Sequence, residues 1–382
     1  MKVFSSSTSQ LTLLKQEKTK QTDIKGRGEQ TKKIYYDEIN YFRGFAIFCI
    51  VWAHFRGLTW GAVGGHVQSS WEIVNNIFTA LISGNTAFFV FISGFLFYSI
   101  FYKRGFDYQS FIRGKFLKVF MPYLIITLTF ICYRLLRDHG SIIDSNFLIY
   151  GGFLYWSFWY VPYIMVAFIF SPLYLKFIET KNKYQIILFA LSLALSICLG
   201  RHNTNPILSF FFWNSFYLAG ILLALNYERY RKLPGNDRHC ILCITIAFMG
   251  LLISWDNMYY FKDHWTYDVK FAEKIELLVI GKILCAIVLM DFFFWFKGKG
   301  SYILKSILAT LAKYSFSIFF LHQFAILYFE RHPHKTFIAE LNIWQMFALS
   351  LMLTILVCAL CIMVAYLIKC LTKQYSRIII GV

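Results

Sequence analysis

The chain alternates between long apolar blocks and short polar or basic segments. The blocks are continuous and do not alternate between apolar and polar positions, so they predict helices rather than barrel strands. Crossing a hydrocarbon core of about 30 Å takes about 20 helical residues. Ten blocks approach or exceed that length, of which 185–200 is among the shortest: 39–56, 77–101, 119–137, 147–175, 185–200, 206–226, 240–256, 275–296, 306–329 and 342–368.

Composition supports a membrane protein. Hydrophobic residues make up 58% of the 382 residues and charged residues only 15%, and the mean hydropathy is +0.54. We therefore predict an all-α fold, a polytopic transmembrane helix bundle of about ten helices in one domain over 35–369. Residues 1–34 are polar and basic, without the apolar core and cleavage site of a signal peptide, and are predicted to be a flexible cytoplasmic tail. A short cytoplasmic tail is predicted over 370–382.

The positive charges set the orientation. The net charge is +18, but Lys and Arg gather at the ends of the apolar blocks, which is typical of membrane topology rather than of nucleic-acid binding. With the N-terminus in the cytoplasm, cytoplasmic segments carry 27 of the 38 Lys and Arg residues and the opposite loops carry 9. Both termini are then cytoplasmic, and the predicted location is the inner membrane.

Two cysteine pairs have the spacing of half a zinc site. They are Cys240–Cys243 and Cys358–Cys361, which lie far apart and fall in or beside predicted helices. Buried cysteines commonly pack as small hydrophobic residues, and His332–His334 is expected to form a turn in an outer loop. We therefore predict no metal site.

The first span contains two polar residues that share one helix face. Arg43 and His54 are eleven residues apart, which is about 1100°, or three turns to within about 20°, and about 16 Å along the axis. Alone, Arg43 fits an anchor that snorkels to the membrane edge, and His54 fits a core histidine with a hydroxyl partner. Together they indicate a polar track, because a cation inside a span normally faces a protein interior or a water cavity.

Five further segments carry motifs, besides Asp37 and Arg43-x10-His54. These are Phe88–Phe95 with Ser93-Gly94, Phe111–Lys118 leading to Pro122, Trp159-Tyr160-Val161-Pro162, Phe216–Gly220 and Lys313–Gln323 with Leu321-His322. In their order and spacing these motifs resemble those of acyltransferase family 3, bacterial membrane O-acyltransferases that modify surface polysaccharides. The resemblance covers nearly all of 35–368.

The resemblance implies transfer of an acyl group, usually acetyl from acetyl-CoA, to a sugar hydroxyl. His54 would act in proton transfer with Arg43 as its catalytic companion, and no tightly bound cofactor is expected. Arg43 and the basic segment with Arg113, Lys115 and Lys118 would hold the coenzyme A phosphates. Where the family often has two arginines this chain has Lys115 and Lys118, which bind phosphate as point charges. The alternative for the basic segment is a solvated topogenic loop.

The residues implied to contact substrate are Ser93, Trp159, Tyr314 and His322. Ser93 fits close helix packing beside Gly94 equally well, and His322 fits either the cavity or the outer interface.

The implied partners are acyl-CoA, a glycan or lipid-linked sugar, the bilayer, and either a second copy of the chain or glycan-assembly proteins. The rival functions are a transporter or flippase, which the lack of recognisable broken helices or repeated halves disfavours, and an assembly partner without chemistry. Lys282 and Asp291 share one span but lie on opposite faces, so their partners must come from other helices.

Overall fold

The computed structural model describes residues 36–61, 77–78, 80–82, 84–137, 156–202, 205–254, 263–264, 276–331 and 341–382. The predicted tail 1–34 and the turn His332–His334 lie outside these residues. The α-helices are α1 Asp37–Gly61, α2 Thr86–Leu96, α3 Tyr108–Lys115, α4 Met121–Arg137, α5 Tyr160–Ile169, α6 Ser171–Glu179, α7 Asn182–Cys198, α8 Pro206–Leu225, α9 Tyr227–Arg231, α10 Gly235–Ser254, α11 Leu278–Lys299, α12 Tyr302–Lys313, α13 Ser315–Arg331, α14 Ile343–Thr372 and α15 Ser376–Ile379.

Short elements join some of these helices. A π-helical turn over Phe97–Phe101 extends α2, and a second one over Phe116–Phe120 connects α3 to α4. A 3₁₀ turn over Trp156–Trp159 leads into α5. Two two-residue strands, β1 Arg201–His202 and β2 Asp263–His264, pair in parallel. They join two segments for which the sequence predicts an outer location.

Helix α1 lies at the centre of the bundle. It packs against α12, α14, α11, α13 and α2, which explains why Phe42, Ala46, Ile47 and Val51 are fully buried. At Gly44 the helix lies so close to α12 that an added Cβ would clash with the backbone carbonyl of Leu308. The first apolar block is therefore a core helix with neighbours on most of its surface.

Helices α2 and α8 cross at two glycines. A Cβ on Gly94 would clash with the carbonyl of Tyr217, and a Cβ on Gly220 would clash with the carbonyl of Phe91. Small residues allow helix backbones to approach this closely inside a membrane. In the Ser93-Gly94 motif it is therefore Gly94 that permits the close packing of the two helices.

Two apolar blocks are sharply bent, contrary to the expectation of unbroken helices. Helices α5 and α6 meet at 54°, and α12 meets the following helix at 78°. Pro172 in the first turn of α6 explains the first bend, because proline lacks the N–H and clashes with the preceding turn. No proline or glycine lies at the second bend, around Tyr314, so the sequence carried no signal for it.

By length and composition, five helices among the described residues qualify as membrane spans, or seven if each bent pair counts as one. Large apolar side chains face outward on α7 and α14, among them Ile186, Leu191, Met352 and Leu356. A soluble domain rarely exposes such continuous apolar faces, so the fold is that of a multi-pass membrane protein. The ten-crossing topology with cytoplasmic termini stays a prediction.

The C-terminal segment is folded against the bundle. The Ser376 hydroxyl donates to the carbonyl of Val382, and the Ser317 hydroxyl donates to the carbonyl of Ile380 at 2.7 Å. Ile380 is buried, and α15 packs on α4. The residues predicted to form a short tail therefore make tertiary contacts beside the bend between α12 and α13.

The structure supplies partners for Lys282 and Asp291 of α11. Lys282 is 1% exposed, and its ammonium donates to the carbonyl of Ala80 at 2.6 Å and to Asn85 Oδ1 at 2.8 Å. Asp291 pairs with Arg238 of α10 at 3.2 Å. Lys282 and Asp291 therefore have partners from different parts of the chain, because they lie on opposite faces of α11.

Candidate active site

The residue with the candidate proton-transfer role, His54, lies against a second histidine. The ring centroids of His54 and His322 are 5.4 Å apart, with an interplanar angle of 44°. His54 is half-buried on α1, whereas His322 on α13 is 0% exposed. The structure thus brings together two of the residues singled out from the sequence and places His322 inside the bundle.

Both ring nitrogens of His322 are engaged by the protein. Nδ1 lies 2.8 Å from the carbonyl of Ile318, which can only accept, so Nδ1 carries the proton. Nε2 lies 2.7 Å from the side-chain nitrogen of Gln323, which donates to it. These two bonds fix one neutral tautomer of His322. In this arrangement the more accessible His54 is the member of the pair suited to take a proton from an incoming hydroxyl.

Arg43 and His54 both contact the bent pair formed by α12 and α13. Its guanidinium donates from Nη2 to the carbonyl of Ala312 at 2.9 Å, while His54 meets His322 ten residues further along that pair. The carbonyls of a helix's last turn lack intrahelical partners and carry partial negative charge. Arg43 and His54 therefore share one face of α1, as their spacing predicts, and Arg43 binds a carbonyl at the end of α12.

Trp159 is buried and is linked to His322 through two other aromatic residues. Its indole stacks on Trp213 of α8 with centroids 5.4 Å apart and an interplanar angle of 19°. The ring centroid of the next residue, Tyr160, lies 5.8 Å from that of Phe319. The ring centroids of Phe319 and His322 are 6.2 Å apart. The aromatic cluster around Trp159 is therefore an interior wall and not a lipid-facing belt.

Ser93 is placed next to this wall. Its hydroxyl donates to the carbonyl of Phe89 at 2.8 Å and is also a hydrogen-bond neighbour of the Tyr160 hydroxyl. Ser93 is half-buried. It thus connects the α2–α8 crossing to the aromatic residues that lead to His322.

Tyr314 lies at the bend and away from the histidine pair. It is 5% exposed, its N–H donates to the carbonyl of Thr310 at 3.1 Å, and its own carbonyl accepts from Ile318 at 2.8 Å. Eight helical residues separate it from His322, which is about 12 Å. The structure thus places Tyr314 at the junction of α12 and α13.

The basic segment lies on α3 and on the π-helical turn that follows it. Arg113 and Lys118 are exposed, whereas the ammonium of Lys115 lies 4.8 Å from the ring centroid of Phe101, 5.2 Å from that of Phe111 and 4.4 Å from that of Phe168. Burial and, to a lesser extent, the charge of Lys118 lower the pKa of Lys115 to about 8. Lys115 is therefore held by aromatic faces while its two basic neighbours point to solvent.

Arg201 is a charged neighbour of the aromatic cluster that the sequence reasoning did not single out. Its guanidinium lies 4.6 Å from the ring centroid of Trp159 and 5.6 Å from that of Trp213, and it interacts electrostatically with His54. The sequence offered one signal for Arg201, which is that it lies in a predicted outer loop, where the positive-inside rule expects few Lys and Arg residues. Gln323 was also missed, although it directly follows His322 in the quoted motif.

Metal-ligand arrangements are lacking in the part of the chain that the structure describes, where no three His, Cys, Asp or Glu side chains lie together as candidate ligands. Cys358 and Cys361 are buried in α14, whereas Cys240 and Cys243 are exposed on α10.

Comparison with known proteins identifies the family. The family profile described as an acyltransferase domain matches residues 36–366, which extends from the start of α1 almost to the end of α14. Searches of curated proteins and of solved structures give no match. The match covers nearly the whole chain and includes every motif quoted above. The chain therefore belongs to acyltransferase family 3 and is a membrane acyltransferase.

Proposed function

We propose that the protein moves an acyl group, acetyl in the first instance, from cytoplasmic acyl-CoA to a hydroxyl of a surface-polysaccharide or lipid-linked sugar precursor at the inner membrane. The observation that carries the proposal is the histidine pair. His54 is half-buried and faces a second imidazole, His322, whose two nitrogens are already engaged. A neutral imidazole can accept a proton on a ring nitrogen, so His54 suits general-base catalysis on a sugar hydroxyl.

In this proposal the donor enters from the cytoplasmic side. Arg113 and Lys118, both exposed, together with Lys115 would bind the phosphates of coenzyme A. Arg43 would position α12 through its bond to the Ala312 carbonyl and would contact the donor. Ser93, Trp159 and His322 would line the path of the acyl group and acceptor, and Tyr314 would orient the bend.

The proposed reaction needs three steps at the pair. His54 takes the proton of the acceptor hydroxyl as its oxygen bonds to the acyl carbonyl carbon. The tetrahedral intermediate then collapses and breaks the carbon–sulfur bond. The proton held by His54 passes to the departing thiolate, so that an ester and free coenzyme A thiol are formed.

The test compares cells that produce the wild-type chain, His54→Ala, or no chain. We expect base-labile acetate on the surface glycan to fall to the level of cells without the chain when His54 is replaced. His239→Ala is the matched control, because His239 is exposed on α10 and lies outside the proposed site. Normal acetate with His54→Ala, at equal protein level, would refute the mechanism.

A transporter or flippase is the second candidate. The sequence showed no recognisable broken helices, but the structure contains two bent helix pairs, which support this candidate. Broken helices often surround the binding sites of transporters. The two functions differ in thiol production, because a flippase does not cleave acetyl-CoA. Membrane vesicles should release free thiol from acetyl-CoA in a His54-dependent manner if the chain is an acyltransferase. Glycan modification without such release would support transport.

A further inference from the structure

One polar contact of His322 is not explained by helix geometry alone. Gln323 directly follows His322 on α13, and the amide nitrogen Nε2 of Gln323 lies 2.7 Å from Nε2 of the His322 ring. Side chains of consecutive helical residues point about 100° apart and do not normally face each other. The Gln323 side chain must therefore fold back to reach the ring, and its 2% exposure shows that it does so inside the packed bundle.

The direction of this hydrogen bond follows from the other nitrogen of the ring. His322 Nδ1 lies 2.8 Å from the carbonyl oxygen of Ile318, which can only accept, so Nδ1 carries the proton. A neutral imidazole then presents a lone pair at Nε2, and the Gln323 amide donates to it. For Nε2 to take a second proton, the amide would have to give up this bond or turn its oxygen toward the ring. The Gln323 amide therefore opposes the charged form of His322.

The charge of His322 matters because of the ring beside it. The ring centroid of His54, the proposed acceptor of the hydroxyl proton, lies 5.4 Å from that of His322. A positive charge on His322 would disfavour a positive charge on His54. Within the described part of the chain, His54 is the titratable group that interacts electrostatically with His322, and Arg201 is a charged group that interacts with His54. His54 therefore gains a proton more easily while His322 stays neutral.

We propose that Gln323 is a positioning residue that directs the proton of the acceptor hydroxyl to His54 by holding His322 as the neutral ring protonated at Nδ1. The inference rests on the proposed acyltransferase function and adds a residue to it. The hydroxyl O–H bond breaks as its oxygen bonds to the acyl carbon, and the proton bonds to a ring nitrogen of His54. His322 keeps its single proton throughout. His54 returns to its neutral form when it passes the proton to the departing thiolate.

The first measurement detects the protons of His322 directly. The purified full chain is produced with histidine that carries the NMR-active nitrogen isotope, and the His322 signals are identified by comparison with His322→Asn. We expect a proton on Nδ1 and none on Nε2 across the range of about pH 5–8 in which an unperturbed imidazole changes its charge. A proton on Nε2 of the wild-type chain in this range would overturn the inference.

Gln323→Glu replaces the donating amide by a carboxylate of the same shape. A carboxylate accepts from Nε2–H, so His322 should bind a second proton in part of the same pH range. His54 then faces a cation and takes the hydroxyl proton less readily. Thiol release from acetyl-CoA by membrane vesicles that contain the full chain and its endogenous acceptor should fall by about 10–10²-fold at saturating acetyl-CoA, by analogy with residues that orient metal-bound histidines.

The pH profile separates this effect from a loss of stability. A cation beside His54 keeps the His54 ring neutral to lower pH, so the acid limb of the kcat/KM profile should move to lower pH in Gln323→Glu. Gln323→Met keeps the side-chain length and removes the donor without burying a charge, so it tests the same bond if the glutamate variant is unstable, and its rate should also fall. A wild-type rate and acid limb in Gln323→Glu with a charged His322, or a wild-type rate in Gln323→Met, would overturn the inference.

Gln185→Met is the matched control for a buried glutamine. Gln185 is 5% exposed and donates to the carbonyls of Phe177 and Ile178 at 3.1 Å and 3.0 Å, outside the proposed site. Its replacement should lower the thermal unfolding midpoint but leave the rate per folded protein unchanged. Equal losses of midpoint and rate in Gln185→Met and Gln323→Met would mean that Gln323 has only a structural role. An active His54→Ala variant would instead refute the proposed function, while the His322 signals would still test the contact with Gln323.

Discussion

The close crossing of α2 and α8 predicts a large effect from a very small substitution. Gly94→Ala adds one methyl group that would lie 2.8 Å from the carbonyl carbon of Tyr217, whereas carbon atoms normally pack about 3.5–4.0 Å apart. The two backbones must therefore separate by about 1 Å. The obstacle is backbone, so no side-chain rotation relieves it.

The expected cost follows from that separation. Overpacking of this kind costs about 1–3 kcal/mol, and the intrinsic helix preference of alanine over glycine returns at most about 1 kcal/mol. We expect the free energy of unfolding to fall, and the thermal unfolding midpoint of the protein in detergent to drop by several degrees. Because Ser93 is adjacent, the acyl-transfer rate should fall as well.

Two controls make this prediction specific. Gly250→Ala in α10 introduces a Cβ that meets nothing within 4 Å, so its unfolding midpoint should stay equal or rise. Gly220→Ala acts on the same crossing from the other helix, so the double substitution with Gly94→Ala should cost less than the sum of the two single costs. An unchanged midpoint for Gly94→Ala, or strict additivity, would refute the close-crossing argument.

Two further predictions concern charged groups. Glu38→Gln should lower the free energy of unfolding by about 1–3 kcal/mol because the Glu38 side chain is 5% exposed and bonds Lys297 at 3.0 Å. Asp37→Asn, which removes a 36% exposed partner of the same lysine, should cost less than about 1 kcal/mol, and equal melting shifts would contradict this. Because the pKa of Lys115 is lowered to about 8, its ammonium is charged below that pH and neutral above it, so coenzyme A should bind the purified protein more weakly as the pH rises through that value. Lys115→Arg should remove this dependence, and a wild-type affinity that is constant with pH would contradict the proposed phosphate contact.

The local features of this protein could be inferred from its sequence. Each apolar block overlaps a helix in the structure, because continuous apolar composition and helical periodicity are properties of neighbouring residues. The shared face of Arg43 and His54 follows from the pitch of a single helix, and both residues meet the α12–α13 pair. The family was also recognisable from motifs whose order and spacing can be read along the chain.

The tertiary structure decided which of these features meet. The contact of His54 with His322 and the stacking of Arg201 on Trp159 join residues that are far apart in sequence. Neither a local pattern nor the charge distribution specifies such contacts. The bond from Arg43 to the end of α12 likewise depends on where that helix ends, and no proline or glycine marks the bend.

Lys282 illustrates the same division between local and tertiary information. The sequence established that a cation lies within an apolar span and must have a polar partner, because an unsatisfied charge there is costly. Only packing identified the partners as Asn85 and the carbonyl of Ala80. Helical periodicity gives the face of each residue, whereas the identity of the facing residue depends on how all the helices pack together, which is determined by the whole chain at once.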